Sequence, residues 1–245
     1  MDRLIYTSMT GASAAAARQT VLANNLANAS TNGFRAELSQ FRAVPLNGSG
    51  ASSRVFSLEA TSGYDDRPGA VQRTGRNLDA MAQGNAWFAV QGLDGTEAYT
   101  KNGALEVNAQ GTLVNSVGLT VLSDGGAPID VPPGAQITLG LDGSITAKID
   151  GQPPNALGRV KLATPTPDDP LQRGTDGLFR TRAGEPLPQD AQARLQTGAI
   201  ESSNVNAVES MVGMIAAARQ FESQMKLMQT AETNDKSASK LLGQG

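Results

Sequence analysis

The chain has 245 residues, with 20 Lys+Arg against 23 Asp+Glu and a formal net charge of −3. It therefore carries no electrostatic footprint for nucleic acid or for an anionic membrane surface. It contains no His and no Cys, which excludes His-based triads, thiol nucleophiles, disulfide frameworks and the usual zinc and iron–sulfur sites.

Aromatic residues make up 4% of the chain, while 27 Gly and 12 Pro punctuate it. That balance predicts a thin core and turn-rich, mainly β structure. All the prolines lie between Pro45 and Pro188, so helix breakers are absent from both ends. The pattern predicts a helix, a long β-rich middle and a second helix.

In the first 29 residues, Ile5, Met9, Ala12, Ala15/Ala16, Gln19, Leu22 and Leu26 recur at steps of three and four, one stripe of a helix. The stripe is narrow and rich in alanine, so a partner helix can approach closely. The helix is expected to end near Asn28, before the turn cluster Ser30-Thr31-Asn32-Gly33, with Gly33 available as a left-handed cap. Asn24, Asn25 and Asn28 cluster at this end. They suit either capping or hydrogen bonding between packed helices. Residues 37–75 are polar, with Gly48-Ser49-Gly50 and Pro68-Gly69, and are expected to form an extended connector.

Residues 76–197 read as a β-rich domain. Strands are expected at Trp87–Val90, Glu97–Thr100, Ala104–Val107, Thr112–Val114, Leu119–Leu122, Arg159–Ala163 and Leu178–Thr181. Turn pairs such as Asp94-Gly95, Asn102-Gly103 and Gln110-Gly111 separate several of them. The strongest hairpin joins Ile137–Leu141 to Ser144–Ile149 through Asp142-Gly143. Alternation places Ile137, Leu139 and Leu141 on one face, answered by Ile145, Ala147 and Ile149.

Residues 198–245 supply a lead-in and the last helix. Asn206, with Glu209 three residues on, is an N-cap opening onto an apolar stripe. That stripe runs through Val208, Met211, Ile215, Ala218, Phe221, Met225 and Met228. Two helices with one weak stripe each suggest an antiparallel, coiled-coil-like pair that orders fully only when further helices cover it.

Little in the chain points to catalysis. No GxxxxGK[ST] loop occurs, and the Asp-Gly pairs at 94, 124, 142, 150 and 176 lack calcium-loop spacing; they read as turns. Asp65, Asp66, Glu97, Glu106, Asp168 and Asp169 are the carboxylates from which a glycoside-hydrolysing pair could be drawn. Nothing in the sequence pairs them across a cleft. No run of 18 apolar residues is present, so no membrane insertion is expected. The start Met-Asp-Arg lacks the net positive charge of a cleaved secretory signal. Met211, Met214, Met225 and Met228 suit an adaptable docking surface or ordinary helix packing. No residue is read as catalytic, cofactor-binding or metal-ligating.

The segment from Ala23 to Arg35, Ala-Asn-Asn-Leu-Ala-Asn-Ala-Ser-Thr-Asn-Gly-Phe-Arg, resembles the N-terminal signature of the flagellar rod and hook family. Three further stretches agree in order. They are Ala86-Trp87-Phe88-Ala89-Val90-Gln91 followed by Asp94-Gly95-Thr96 and Ala98 to Gly103, then Gly198 to Asn206, then the last helix with Met211, Ile215, Arg219, Phe221 and Glu222. Within that family, the opening Met1 to Thr7 and Phe34-Arg35-Ala36-Glu37 look most like the proximal-rod branch, with the distal-rod branch as the alternative.

The resemblance implies a non-enzymatic structural subunit of the bacterial flagellar basal-body rod, located in the periplasm. It would be exported by the flagellar type III apparatus without a cleaved signal. Its implied partners are copies of itself and neighbouring proximal and distal rod subunits. The terminal helices (residues 1–36 and 198–245) would coil around a central channel with the β domain outside. The expected subunit interface is Ile5, Met9, Ala12, Leu22, Asn25, Leu26, Asn28, Val208, Met211, Ile215, Ala218, Phe221, Met225 and Met228. A second class of reading also stands: a secreted β domain acting on cell wall or carbohydrate, tethered by its helices.

Overall fold

The structure is a computed structural model that describes residues 2–45 and 55–242. The chain divides into two compact units. One gathers Met1–Ala29, Ala36–Asp65 and Val205–Gly245; the other gathers Ser30–Arg35 and Asp66–Asn204.

The first unit is built on α1 (Asp2–Ala27) and α2 (Ala207–Leu242), which pack against each other. Gly11 of α1 faces Gln224 of α2, and Gly213 of α2 faces Leu22 of α1, so the helices run antiparallel. Asn206 caps α2 as expected, its side-chain oxygen accepting from the N–H groups of Val208 and Glu209 at 3.1 and 3.2 Å. The end of α1 closes differently from the expectation. The Asn28 N–H donates to the Asn24 and Asn25 carbonyls and the Ala29 N–H to Leu26, and the Asn28 amide donates back to the Asn24 carbonyl at 2.9 Å.

Gly33 is left-handed, with φ 68°, but it lies beyond this cap and serves another purpose. Its N–H donates to the Glu201 carbonyl at 2.7 Å. A Cβ there would sit 2.3 Å from the Lys101 carbonyl carbon. Close backbone approach, not helix termination, requires the glycine.

The expected extended connector is also different. Residues 37–64 contribute β1 (Glu37–Pro45) and β2 (Val55–Tyr64), an antiparallel ribbon in register from Glu37↔Tyr64 to Pro45↔Val55 with an irregularity at Gln40/Phe41. Strand pairing satisfies backbone groups whatever the side chains are, so a polar stretch without burial periodicity can still form a ribbon. Gly48-Ser49-Gly50 lies outside the described residues.

The second unit is the β unit. Its strands are β3 (Val71–Arg73), β4 (Ala80–Ala82), β5 (Trp87–Gln91), β6 (Glu97–Thr100), β7 (Leu105–Val107), β8 (Leu113–Asn115) and β9 (Gln136–Leu139). They continue with β10 (Ser144–Lys148), β11 (Asn155–Arg159), β12 (Leu162–Ala163), β13 (Leu171–Arg173), β14 (Phe179–Thr181), β15 (Leu195–Thr197) and β16 (Ala199–Glu201). The main sheet has the order β12-β5-β6-β14-β13, and β11-β10-β9 form a second. The pairs β7–β8, β4–β15 and β3–β16 complete the set, and every ladder is antiparallel.

The expected hairpin is β9–β10, with Leu139 opposite Ile145 and Ile137 opposite Ala147. Leu141 departs from the expected face and is exposed. The turn begins at Gly140, whose carbonyl accepts the Gly143 N–H at 3.0 Å, so Leu141 sits on the turn and has left the strand. Leu119–Leu122 pairs only through isolated bridges, Val114↔Thr120, Val90↔Val121 and Leu122↔Pro128. The core gathers Phe88, Val90, Leu105, Leu113, Val121, Ile129, Leu139, Ile145, Val160, Leu162 and Leu195.

Candidate assembly surface

The α1–α2 contact uses small residues. On α1, Ser8, Ala12 and Ala15 are buried; on α2, Ser210, Ala217 and Ala231 are. A Cβ at Gly213 would lie 3.0 Å from Leu22 Cδ1, and one at Gly11 would lie 3.0 Å from Gln224 Cδ. Two helices meeting on Ser, Ala and Gly come close but bury little apolar area.

The larger apolar side chains of α2 point elsewhere. Val208 is 69% exposed and Ile215 56%, and Met211 and Val212 are exposed beside them. At about 100° per residue, these four fall within roughly 100° of arc, centred opposite Ser210, Gly213 and Ala217. The first turns of α2 thus carry an apolar face turned away from α1.

The remaining expected interface residues spread around the helices. Met9 is 53% exposed, next to exposed Tyr6. Phe221 and Met225 are exposed at lower levels, whereas Ile5, Leu22, Leu26, Asn28, Ala218 and Met228 are half-buried. The expected α2 residues lie on average about 3.3 positions apart, short of the 3.6 of a helical turn, so between Val208 and Met228 they move roughly 160° around the axis, from an outward face to a half-buried one. Ala12 belongs to the contact with α2.

Asn25 is buried and engaged with β1. Its amide donates to the Glu37 carbonyl at 2.9 Å and its side-chain oxygen accepts the Glu37 N–H at 2.8 Å. The amide thereby behaves as one more peptide group along the strand, and Asn24 adds a bond to the Glu37 carboxylate at 2.9 Å. Sequence reasoning passed over Val212 and Tyr6. Plotting α2 at its true period, in place of counting threes and fours, brings Val212 into the patch.

In the β unit, the two signature segments on either side of the sheet meet. Arg35 Nη1 lies 2.5 Å from Glu201 Oε1, with both side chains almost wholly buried. The same Glu201 oxygen accepts the Gly69 N–H at 2.8 Å, and the Asn204 N–H donates to the Phe34 carbonyl at 3.2 Å. Arg173 donates to the Arg35 carbonyl at 3.0 Å and its guanidinium lies 4.3 Å from the Phe34 ring centroid.

The Trp87 ring carries cations: Arg35 Cζ lies 5.8 Å from its centroid and Lys101 Nζ 5.0 Å. Lys101 Nζ donates to the Gly84 carbonyl at 3.0 Å. Burial pulls its ammonium down to about 8, against a raising influence from Glu201. The Phe-Arg of the first signature and the Ile-Glu of the second are therefore two halves of one buried charge cluster.

Of the carboxylates considered for hydrolysis, Glu97 is already engaged. Glu97 is bound to Lys161 Nζ at 2.8 Å and accepts from the Tyr99 hydroxyl at 2.7 Å. Among the described residues no group of three or more His, Cys, Asp or Glu could hold a metal ion, and no helix is long and apolar enough to cross a membrane.

Three family models match the chain in order. Residues 5–35 match the flagella basal body rod protein model. Residues 81–147 match the flagellar hook protein FlgE/F/G D1 domain, and residues 196–241 the flagellar basal body rod FlgEFG protein C-terminal model. The flagellar basal-body rod protein FlgF of Escherichia coli (strain K12) is 44% identical over 251 residues, covering 99% of each chain. FlgF of Salmonella typhimurium is 43% identical over the same length and coverage. FlgG of Bacillus subtilis is 29% identical over 255 residues, covering 95% of this chain and 96% of that one. These are structural rod proteins and not a class of enzymes. With four-tenths identity sustained from end to end, the chain belongs to the flagellar basal-body rod protein family and stands close to its FlgF members.

Proposed function

We propose that this chain, a structural subunit of the flagellar basal-body rod, polymerises through its two terminal helices and takes its place in the proximal part of the shaft that carries motor torque. The observation that carries the reading is the apolar face of α2 formed by Val208, Met211, Val212 and Ile215, exposed and turned away from α1. An isolated subunit gains nothing from that face. Neighbouring helices, from copies of this chain and from adjacent proximal and distal rod subunits, bury it and extend the α1–α2 pair into a coiled-coil-like wall. Heterologous contacts that do not close on themselves generate a tube, and each added subunit offsets its ordering cost by burial at the growing end.

Residues 1–36 and 198–245 form the axial part in this reading and residues 76–197 the outer part. The flagellar type III apparatus is the exporter; a chain with no Cys cannot be locked by a disulfide during passage. Partner copies would meet Met9, Val208, Met211, Ile215, Phe221 and Met225 first, with Ile5, Leu22, Leu26, Ala218 and Met228 at the margins.

The test is a strain carrying Ile215→Asp as its sole copy. The expected result is a stable, exported subunit that is absent from purified basal bodies, with loss of swimming. Normal swimming with the variant present in the rod would overturn the interface.

A further inference from the structure

The five Asp-Gly pairs fall into two turn registers. In Gly92–Gly95, Gly140–Gly143 and Gly174–Gly177 the Asp is the third residue of the turn. The following Gly supplies the closing N–H, donated to the Gly92, Gly140 and Gly174 carbonyls at 3.0, 3.0 and 3.2 Å. Each Asp carboxylate meanwhile accepts the N–H two residues on, from Thr96, Ser144 and Leu178. The Thr96 hydroxyl, the Ser144 hydroxyl and the Arg180 guanidinium hold Asp94, Asp142 and Asp176 below the ordinary carboxylate range. Nitrogen and carboxyl are both occupied, and by different partners.

Asp124 sits one position earlier. The turn Ser123–Gly126 closes through the Gly126 N–H on the Ser123 carbonyl at 2.8 Å. The Gly125 N–H is thus not the closing donor, and it lies 3.0 Å from Oδ1 of its own neighbour, Asp124. Residues 124–128 are exposed, and a Cβ built on Gly125 finds only Ser123 Oγ, at 3.9 Å. Asp150-Gly151 shares the register, in a turn closed by Gln152 on Ile149 at 3.0 Å, without the carboxylate contact.

We infer that Asp124-Gly125 is the site at which the folded subunit isomerises to isoaspartate. The Gly125 nitrogen bonds to Asp124 Cγ and gives up its proton, and one carboxyl oxygen leaves as water. The five-membered imide then takes water back. When the bond between the Asp124 main-chain carbonyl carbon and the Gly125 nitrogen breaks, the chain continues through Cγ. One water leaves and one returns, and nothing is oxidised or reduced. The product lengthens the backbone of a tight turn and marks the age of a subunit.

The experiment ages the full-length folded chain at neutral pH and labels isoaspartate with a protein isoaspartyl methyltransferase before peptide mapping. Products from asparagine are separated by their mass gain. Label is expected to concentrate on the Asp124 peptide, to spread over all five Asp-Gly peptides in a sample aged in urea, and to fall to the Asp94 level in Gly125→Ala. That variant suits the turn, since Gly125 has no left-handed φ; an unchanged circular dichroism spectrum confirms its fold. Label at Asp94, Asp142, Asp150 or Asp176 equal to that at Asp124 in the folded sample overturns the inference, as does undiminished label in Gly125→Ala.

Discussion

The two units solve opposite problems. The β unit hides its largest side chains completely: Trp87, Phe88, Tyr99, Leu105 and Leu113 are all inside, together with the charges of Arg35, Lys101 and Glu201. The helical unit does the reverse, burying Ser8, Ala12, Ala15, Ser210 and Ala217 while Val208, Met211, Val212 and Ile215 face solvent. A domain that buries bulk and pairs its buried charges is complete by itself. A helix pair that spends its contact on alanine and leaves branched residues outside is, in the function proposed above, a component awaiting neighbours. Substitutions should therefore act on folding in one unit and on assembly in the other.

The largest effect on folding is expected at the buried ion pair. Glu201→Ala strands the Arg35 guanidinium and leaves the Gly69 N–H without its acceptor. Breaking one side of a buried pair costs about 3–5 kcal/mol. Urea unfolding followed by Trp87 fluorescence should show a loss of that order. The double variant Arg35→Met/Glu201→Leu should recover most of it, because an apolar pair of similar volume needs no partner. A single variant within about 1 kcal/mol of the parent would mean that the pair is not closed off from water.

Lys101 gives the next effect, readable as pH dependence. Its folded pKa of about 8 lies below the unfolded value of roughly 10.4. Between the two the unfolded chain binds the extra proton, so stability rises with pH. The gain should be on the order of 2 kcal/mol from pH 7.5 to 10 and should vanish in Lys101→Met. Above that range Tyr99 reverses the slope. Burial and its bond to Glu97 raise the folded hydroxyl, so only the unfolded chain ionises and stability falls. A flat profile from pH 7.5 to 10 would place Lys101 in contact with water. In the helical unit, Asn206→Ala removes the acceptor for two N–H groups of α2 and should cost about 1 kcal/mol, followed by the helical circular dichroism signal. No change would show that the first turn is satisfied by other means.

The sequence announced what local chemistry controls and hid what distant pairing controls. Asn206 and the β9–β10 hairpin were legible because a cap and an Asp-Gly turn with alternating apolar residues act over a few positions. β3, β4, β15 and β16 were missed. Three residues show no alternation, and their partners lie far along the chain, Ala80–Ala82 with Leu195–Thr197 and Val71–Arg73 with Ala199–Glu201. The pairing face of α2 was missed for another reason: Ser210, Gly213 and Ala217 carry no hydrophobic signal, and their value lies in letting α1 come close. Reading the largest apolar residues as the helix seam pointed instead to the face that α1 leaves bare. Arg35 and Glu201 stood in two recognised signatures, but only the fold joins residues so far apart.

The smallest expected effect on the isolated chain is the most informative. Met211 is half exposed, on the α2 face away from α1, and Gln has nearly the same length and helix propensity. Met211→Gln should therefore leave monomer stability within about 0.5 kcal/mol of the parent. The same change removes an apolar contact from every subunit boundary the helix would form. A rod repeats that loss at each copy, so incorporation into purified basal bodies should fall far more than folding does. If the monomer itself loses more than about 1 kcal/mol, Met211 already packs within its own chain and the face is not free. If both stability and incorporation are unchanged, the apolar patch lies off the subunit boundary. Only an intact monomer with a failed assembly keeps the contrast between the two units.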